Sequence, residues 1–288
     1  MSLTHSLVLL ASISCFLVSN RLMFISLLVL CNVAAFFQGL MDIYGFFSLL
    51  SLSGLCFLKY RLNHHKLLNF LLNAAIFSFS ALLFLHLVPG FENQVVLDAV
   101  IFSPRCNPFT MYFSYDKIMT ALIVYAMSDS YAQNVLFSGK KVLKRKHFFL
   151  TGALLIACIS FLLIPGLLAN FIKIDFTIPN VWALWALNNL FFVCVGEEIF
   201  FRNYLLRDLR ISVGLKPVYA LLLSSVVFGL FHYNGGAIYM VLAALAGIFY
   251  GYCYLKTQKI LYPILLHFGL NLVHFAFFTY PSAARVFY

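Results

Sequence analysis

The chain has 288 residues, of which 63% are hydrophobic and only 10% are charged, and its formal net charge is +10. An ordinary soluble domain is about one quarter charged, so this composition excludes a soluble globular protein and indicates one that crosses a membrane several times. Seven cysteines are scattered singly along the chain, which excludes a disulfide framework and a CxxC metal pair.

Apolar runs recur along the whole chain. A span needs about 20 mostly apolar residues, and about ten segments meet this criterion. The predicted spans are 3–19, 22–40, 44–58, 67–89, 109–128, 148–171, 181–206, 217–233, 237–255 and 261–280. The third is short, and Asp116 and Lys117 interrupt the fifth. The predicted fold is therefore an all-α, polytopic transmembrane helix bundle of about ten spans.

Basic residues collect in alternate connections, as the positive-inside rule requires of cytoplasmic loops. Fourteen of the 19 lysines and arginines lie near residues 21, 59–66, 140–146, 207–216 and 256–259. The opposite side is assigned Arg105, Lys117, Lys173, Arg285, Asp42, Glu92, Asp98, Asp116 and Asp175. We expect a multi-pass protein of the cell (inner) membrane with both termini extracytoplasmic. The run at 140–147 is expected to face anionic lipid headgroups, with no nucleic-acid partner.

The stretch GEEIFFR, residues 196 to 202, places two glutamates and an arginine inside the seventh predicted span. An ionisable side chain at the centre of a span costs about 3 kcal/mol or more, so such residues usually pair and face the bundle interior. Glu198 and Arg202 are four residues apart with the acid first, which favours an ion pair on a helix. Glu197 points about 100° away and has no partner in this segment. It is therefore available as a general base.

Two later segments carry further polar residues inside apolar runs. FGLFHYNGG puts Phe228 and His232 on one helical face, and LLHFGLNLVHF does the same for His267, Asn271 and His274. Any one of them can be explained as a polar link between helices, which contributes about 0.6 to 2 kcal/mol. Together with a glutamate, they provide what hydrolysis requires: a base, imidazoles that orient water, and an amide donor for an oxyanion.

GEEIFFR, FGLFH and HFGLN, in this order, resemble the EExxxR, FxxxH and HxxxN motifs of the CPBP intramembrane proteases. This superfamily contains the type II CAAX prenyl endopeptidase and bacteriocin-processing and immunity proteins. Residues 246–267 also look like the family's glycine-rich helix and short basic loop. The resemblance covers residues 180–280. It divides the chain into N-terminal transmembrane helices of unknown role, 1–147, and a C-terminal CPBP-like catalytic helix core, 148–288.

The resemblance implies intramembrane proteolysis by a glutamate protease without a cofactor. Glu197 would activate the attacking water with help from His232, while His267 and Asn271 would hold the oxyanion. The implied substrate is a membrane-associated or lipidated protein or peptide, and membrane lipids are the other expected partner. Structural support of the site is assigned to Glu198, Arg202 and Phe228.

Several alternatives remain open at this point. Glu197, His232 and His267 are candidate ligands for Zn²⁺, although three separate helices are an unusual source of zinc ligands. Cys194, one turn before the glutamates, is a candidate nucleophile or a small core residue. The chain is alternatively a non-catalytic membrane scaffold or bacteriocin immunity factor. An ion-coupled transporter is the remaining alternative, and it predicts two similar halves.

Overall fold

The structure is a computed structural model that describes residues 2–62, 66–131 and 144–284. It is mostly helical, at 72%. Within these ranges the chain forms ten helices and two strands: α1 Leu3–Leu17, α2 Arg21–Phe37, α3 Ile43–Leu62, α4 Lys66–Phe84, β1 Gln94–Val100, β2 Phe109–Phe113, α5 Tyr115–Ala126, α6 Arg145–Leu168, α7 Trp182–Ile211, α8 Pro217–Leu230, α9 Gly236–Thr257 and α10 Leu261–Phe277.

Nine of the predicted spans coincide with apolar helices. Five helices are long and apolar enough to cross a membrane, namely α3, α4, α6, α7 and α9 with the turn before it. The other four, α1, α2, α8 and α10, are apolar but shorter. The third predicted span is not short in the structure, because α3 extends over 20 residues. The chain is therefore an integral membrane protein, and the full count of ten spans stays a prediction.

The fifth predicted span, 109–128, is only partly helical, and two small strands accompany the helices of the predicted all-α bundle. Its first residues form β2, which pairs with β1 in an antiparallel sheet with Gln94 opposite Phe113. The rest forms α5, which has 12 residues. At 1.5 Å per residue, α5 is about 18 Å long, whereas the hydrocarbon layer is about 30 Å thick. Helix α5 is therefore a buried core helix that is shorter than a typical span.

Helix α5 lies at the centre of the molecule. All of its residues except Lys117 are buried. Helices α1 to α4 pack on it from one side and α7 from the other. The Tyr125 hydroxyl donates to the Cys15 carbonyl oxygen of α1 at 3.0 Å. On the α7 side, Gly196 packs against Ile118. The N-terminal helices therefore hold α5 against the segment that carries GEEIFFR, and the proposed division after residue 147 stays a prediction.

Helices α8 and α9 form a tight antiparallel hairpin. A methyl group at Gly247 would lie 3.1 Å from Ser225, and one at Gly229 would lie 2.6 Å from the Met240 carbonyl oxygen. The glycines at 247 and 251 thus allow close packing of helix on helix, as small residues do in membrane proteins. This packing, together with the short turn that follows α8, fixes the position of His232.

Many of the basic residues gather at one end of the bundle. Lys59 pairs with Asp208 at 2.9 Å, and Arg21 donates to the Ser128 carbonyl oxygen at 2.9 Å. Arg21 also lies over the ring of Tyr60. The connections near residues 21, 59 and 208 therefore meet, as the alternation of charge predicts. Lys140, Lys141 and Arg285 belong to the same prediction but lie outside the described residues.

The connections that the sequence analysis assigned to the extracytoplasmic side meet at the opposite end of the bundle. The Asn107 amide donates to the Ser282 carbonyl oxygen at 3.0 Å, and the Thr279 amide donates to the Lys173 carbonyl oxygen at 2.8 Å. Met41 forms a bridge with Phe91. The two sets of loops are thus separated in space, while the side of the membrane that each set faces stays a prediction.

Candidate active site

Helix α7 departs from regular α-helical hydrogen bonding around GEEIFFR. Two π-helical stretches, Asn189–Cys194 and Ile199–Leu206, flank the α-helical turn Val195–Glu198. Such stretches inside helices are frequent at functional sites. Every residue from 194 to 206 is buried, so protein surrounds the motif on all sides. Its charged side chains therefore face other side chains rather than lipid.

Glu198 is the centre of a fully buried charge cluster. Its Oε1 atom lies 3.1 Å from Arg202 Nη1, so the predicted ion pair is present. The same oxygen lies 2.9 Å from His267 Nδ1. The Arg202 guanidinium also lies over the ring of Phe228, 4.2 Å from its centroid. Glu198 therefore holds Arg202 and also orients His267, a link between α7 and α10 that the sequence analysis did not predict.

Glu197 has a partner from the N-terminal half of the chain. Lys117 Nζ donates to Glu197 Oε1 at 2.9 Å. The sequence analysis assigned Asp116 and Lys117 to the extracytoplasmic side; the structure places both in the first turn of α5, and their side of the membrane stays a prediction. Asp116 is buried and pairs with His86 at 2.7 Å. The sequence feature that could have identified Lys117 as a site residue is its position inside an apolar run, since an ionisable residue there marks a candidate functional site.

The other carboxylate oxygen of Glu197 faces His232. Glu197 Oε2 lies 3.9 Å from His232 Nε2 and forms no hydrogen bond with the described residues. His232 Nδ1 lies 2.7 Å from the Phe228 carbonyl oxygen. A carbonyl oxygen only accepts, so Nδ1 carries a hydrogen and Nε2 is the atom left to act on the Glu197 side. A separation of 3.9 Å is too long for a direct hydrogen bond and suits a bridging water.

The four residues predicted to be catalytic line one cavity of about 1030 Å³. They are Glu197, His232, His267 and Asn271. The Asn271 side-chain amide donates to Asn189 Oδ1 at 3.2 Å and also approaches the sulfur of Cys194. The structure thus brings these residues together, and their separate roles stay predictions.

Two other residues of the polar segments have structural contacts. His274 also lines the cavity, and its Nε2 lies 3.2 Å from the Thr279 carbonyl oxygen. Cys194 is fully buried, does not line the cavity and contacts Asn189 through its sulfur at 3.4 Å. Its environment is that of a small core residue rather than a nucleophile.

The alternative zinc ligands do not form a metal site in this arrangement. Among the residues that the structure describes, no group of three or more His, Cys, Asp or Glu side chains could hold a metal ion. His267 is turned towards Glu198, and Glu197 is bound to the ammonium group of Lys117. A zinc ion at Glu197 would lie beside that positive charge. The residues therefore do not fit zinc, and metal independence stays a prediction.

The cavity opens at the end of the bundle opposite the basic cluster. From Glu197 it extends to three outer segments, β2, residues 169–171 and residues 280–284. Near this rim, Asp175 accepts hydrogen bonds from the Ser103 hydroxyl and the Thr177 hydroxyl. Partial burial raises the pKa of Asp175, but these hydrogen bonds outweigh it and hold the pKa below its usual value. Asp175 therefore fixes the connection after α6 to the segment before β2.

Comparison with known proteins points to the same segment. Residues 179–273 match the family of type II CAAX prenyl endopeptidase Rce1-like proteins. No curated protein and no solved structure matches the chain significantly. The matched range contains Glu197, His232, His267 and Asn271, but it does not contain Lys117. Residues 179–273, about a third of the chain, are therefore similar to the type II CAAX prenyl endopeptidases of the CPBP family.

Proposed function

We propose that this chain is an intramembrane endopeptidase that hydrolyses a peptide bond with water activated by Glu197. The substrate is a membrane-associated or lipidated protein or peptide. The similarity of residues 179–273 to this family supports a CAAX-protease-like hydrolase in general. The observation that carries the finer proposal is the pair of atoms Glu197 Oε2 and His232 Nε2, which lie 3.9 Å apart beside the cavity.

A water between these two atoms would donate one hydrogen to each of them. Its lone pair then points at a carbonyl carbon in the cavity. Glu197 takes the proton as the new C–O bond forms, and it returns this proton to the leaving nitrogen as the C–N bond breaks. No covalent acyl-enzyme is formed. Lys117 occupies the other oxygen of Glu197, so that Oε2 is the carboxylate oxygen presented to the water.

His267 and Asn271 are the donors that we assign to the oxyanion. Glu198 accepts a hydrogen bond and can bind His267 Nδ1 only if that nitrogen carries a hydrogen. Donation to the oxyanion through His267 Nε2 then requires that this second ring nitrogen also carries a hydrogen. Asn271 would exchange its bond to Asn189 for one to the oxyanion. A preorganised donor of this kind contributes about 3 to 4 kcal/mol to transition-state stabilisation.

Cleavage of an unbiased peptide mixture tests the proposal. Detergent-purified protein is incubated with peptides from a digested membrane proteome, and new termini are identified by mass spectrometry. The wild type should generate termini that are absent with Glu197→Gln. Glu92→Gln is the matched control, because Glu92 is exposed and does not line the cavity. Identical termini from the wild type and Glu197→Gln would favour the non-catalytic scaffold or immunity factor instead.

A further inference from the structure

Strand β2 presents one edge to the cavity. Four consecutive residues, 109 to 112, line the cavity, and no residue of β1 does. Side chains of a strand alternate between its two faces, so a cavity that touches four successive residues runs along the edge of the strand. The opposite edge of β2 is paired with β1. Among the described residues no third strand joins this sheet.

An unpaired edge carries backbone N–H and C=O groups that seek partners. Just before β2, backbone groups of this kind are already paired, in a strand-like manner, with another segment of the chain. Cys106 forms a bridge with Ala283, and the Ala284 amide donates to the Arg105 carbonyl oxygen at 2.7 Å. This pairing ends before Phe109, where the cavity-lining part of β2 begins. The edge that remains is therefore continuous with a place where an extended segment is already bound.

The edge leads directly to the candidate base. Strand β2 ends at Phe113, Ser114 lines the cavity, and α5 begins at the next residue. The third residue of α5 is Lys117, which binds Glu197 at 2.9 Å. A chain segment that lies along β2 therefore passes close to the carboxylate that we assign to water activation.

We infer that the free edge of β2 is the substrate-docking surface, and that the substrate binds there as an extended peptide that adds a third strand. This inference rests on the proposed function and adds the substrate's conformation to it. Strand addition provides affinity through main-chain hydrogen bonds, and side chains alone then determine sequence preference. A substrate segment that is helical in the membrane has to unwind before it is cut. It also has to arrive from the end of the bundle opposite the basic cluster.

Photo-cross-linking tests where the peptide lies. Tyr112 and Val95 are opposite each other in the sheet, and their exposed fractions are 50% and 51%. Each is replaced in turn by p-benzoylphenylalanine in the full-length Glu197→Gln variant, whose thermal melt confirms folding. The probe is a mixture of biotinylated random-sequence decapeptides. Capture at position 112 should exceed capture at position 95 at least about fivefold, because only β2 borders the cavity. Equal capture, or none at 112, would overturn the inference.

Methylation of the peptide backbone tests the mode of binding. A captured decapeptide is resynthesised with one N-methyl group at each position in turn, and its affinity for Glu197→Gln is measured by fluorescence anisotropy. Only alternate residues of a strand direct their N–H to a given neighbour, so losses of about five- to tenfold should occur at every second position. An equal change of affinity at every position would refute strand addition, even if the wild type cleaves the peptide. Alternation without any cleavage by the wild type would instead overturn the proposed function and leave the docking surface in place.

Discussion

Lys117 and Glu197 are 80 residues apart in the chain and form a hydrogen-bonded ion pair of 2.9 Å at the cavity. The lysine belongs to the buried helix α5, and the glutamate belongs to the matched segment 179–273. The N-terminal half of the chain therefore contributes a charge to the candidate active site. We therefore propose that this half also takes part in the chemistry.

Replacement of Lys117 by methionine should reduce both activity and stability. The change leaves the buried Glu197 carboxylate without its counter-charge, and breaking such a pair costs about 3 to 5 kcal/mol. Lys117 retains 24% exposure, so the lower end of this range applies. The double variant with Glu197→Gln should recover the melting temperature but not the cleavage. Lys173→Met, at an exposed position, is the control, and unchanged values for Lys117→Met would refute the role of this pair.

The two adjacent glutamates should respond differently to the same change. Glu197→Gln keeps the shape of the side chain and removes the basic oxygen. It leaves Lys117 without its counter-charge, but Lys117 is 24% exposed and can be solvated, so the protein should stay folded and lose nearly all cleavage. Glu198→Gln leaves Arg202 as a fully buried cation without its partner, which costs about 3 to 5 kcal/mol. Glu198→Gln with Arg202→Met should recover part of that loss. Melting temperature and cleavage rate are measured in one detergent, and an unfolded Glu197→Gln beside a folded, inactive Glu198→Gln would reverse the roles.

The hairpin of α8 and α9 should not tolerate a side chain at Gly229. A methyl group there meets the Met240 backbone at 2.6 Å, so the helices must move apart and displace His232. Gly229→Ala should lower the melting temperature and the cleavage rate together. Gly152→Ala is the matched control, since no atom lies within 4 Å of that position, and it should be neutral or stabilising by up to about 1 kcal/mol. Equal behaviour of the two variants would show that the hairpin is not closely packed in the membrane.

The separation of the loops predicts a specific orientation. A reporter that is active only in the cytoplasm should work when it is fused after Lys146 and fail when it is fused after Asp175. The first position follows a basic cluster, and the second lies four residues after the cavity-lining segment 169–171. The reverse pattern would place the cavity on the cytoplasmic side and refute the assignment of both termini.

Activity should not depend on a metal ion. The Lys117 ammonium beside Glu197 takes the place where a metal cation would bind a zinc ligand set. Purified protein should contain well under one equivalent of zinc and should keep its activity after treatment with a strong chelator. Loss of activity that returns when zinc is added would contradict the glutamate-type mechanism and make Glu197, His232 and His267 candidate ligands.

The parts of the site that follow local spacing could be predicted from the sequence. The pair of Glu198 and Arg202 follows from their four-residue separation on a helix. The family resemblance identified His232, His267 and Asn271 as partners, and the structure places them at the same cavity. The ten apolar runs also correspond to real elements, with one exception.

The parts that depend on distant contacts could not be predicted. Nothing in the periodicity of residues 109–126 relates Lys117 to Glu197, because their contact depends on how α5 packs against α7. The sequence FTMYF in β2 is rich in aromatic and β-branched residues, which favour strands. It is continuous with the apolar α5, so the hydrophobic pattern predicts one long span over both elements. The π-helical stretches of α7 carry no signal in the pattern of hydrophobic residues.

The short, buried helix α5 has a consequence for the order of biogenesis. A helix of twelve residues with Asp116 and Lys117 in its first turn is a poor candidate for release into lipid on its own. We expect α5 to reach its final position only after α7 emerges from the ribosome and provides Glu197 as a partner for Lys117. The oxyanion donors arrive later still, with α10. If the proposed function holds, the site is complete only after α10 has been made, so we expect no peptidase activity from a nascent chain before that point.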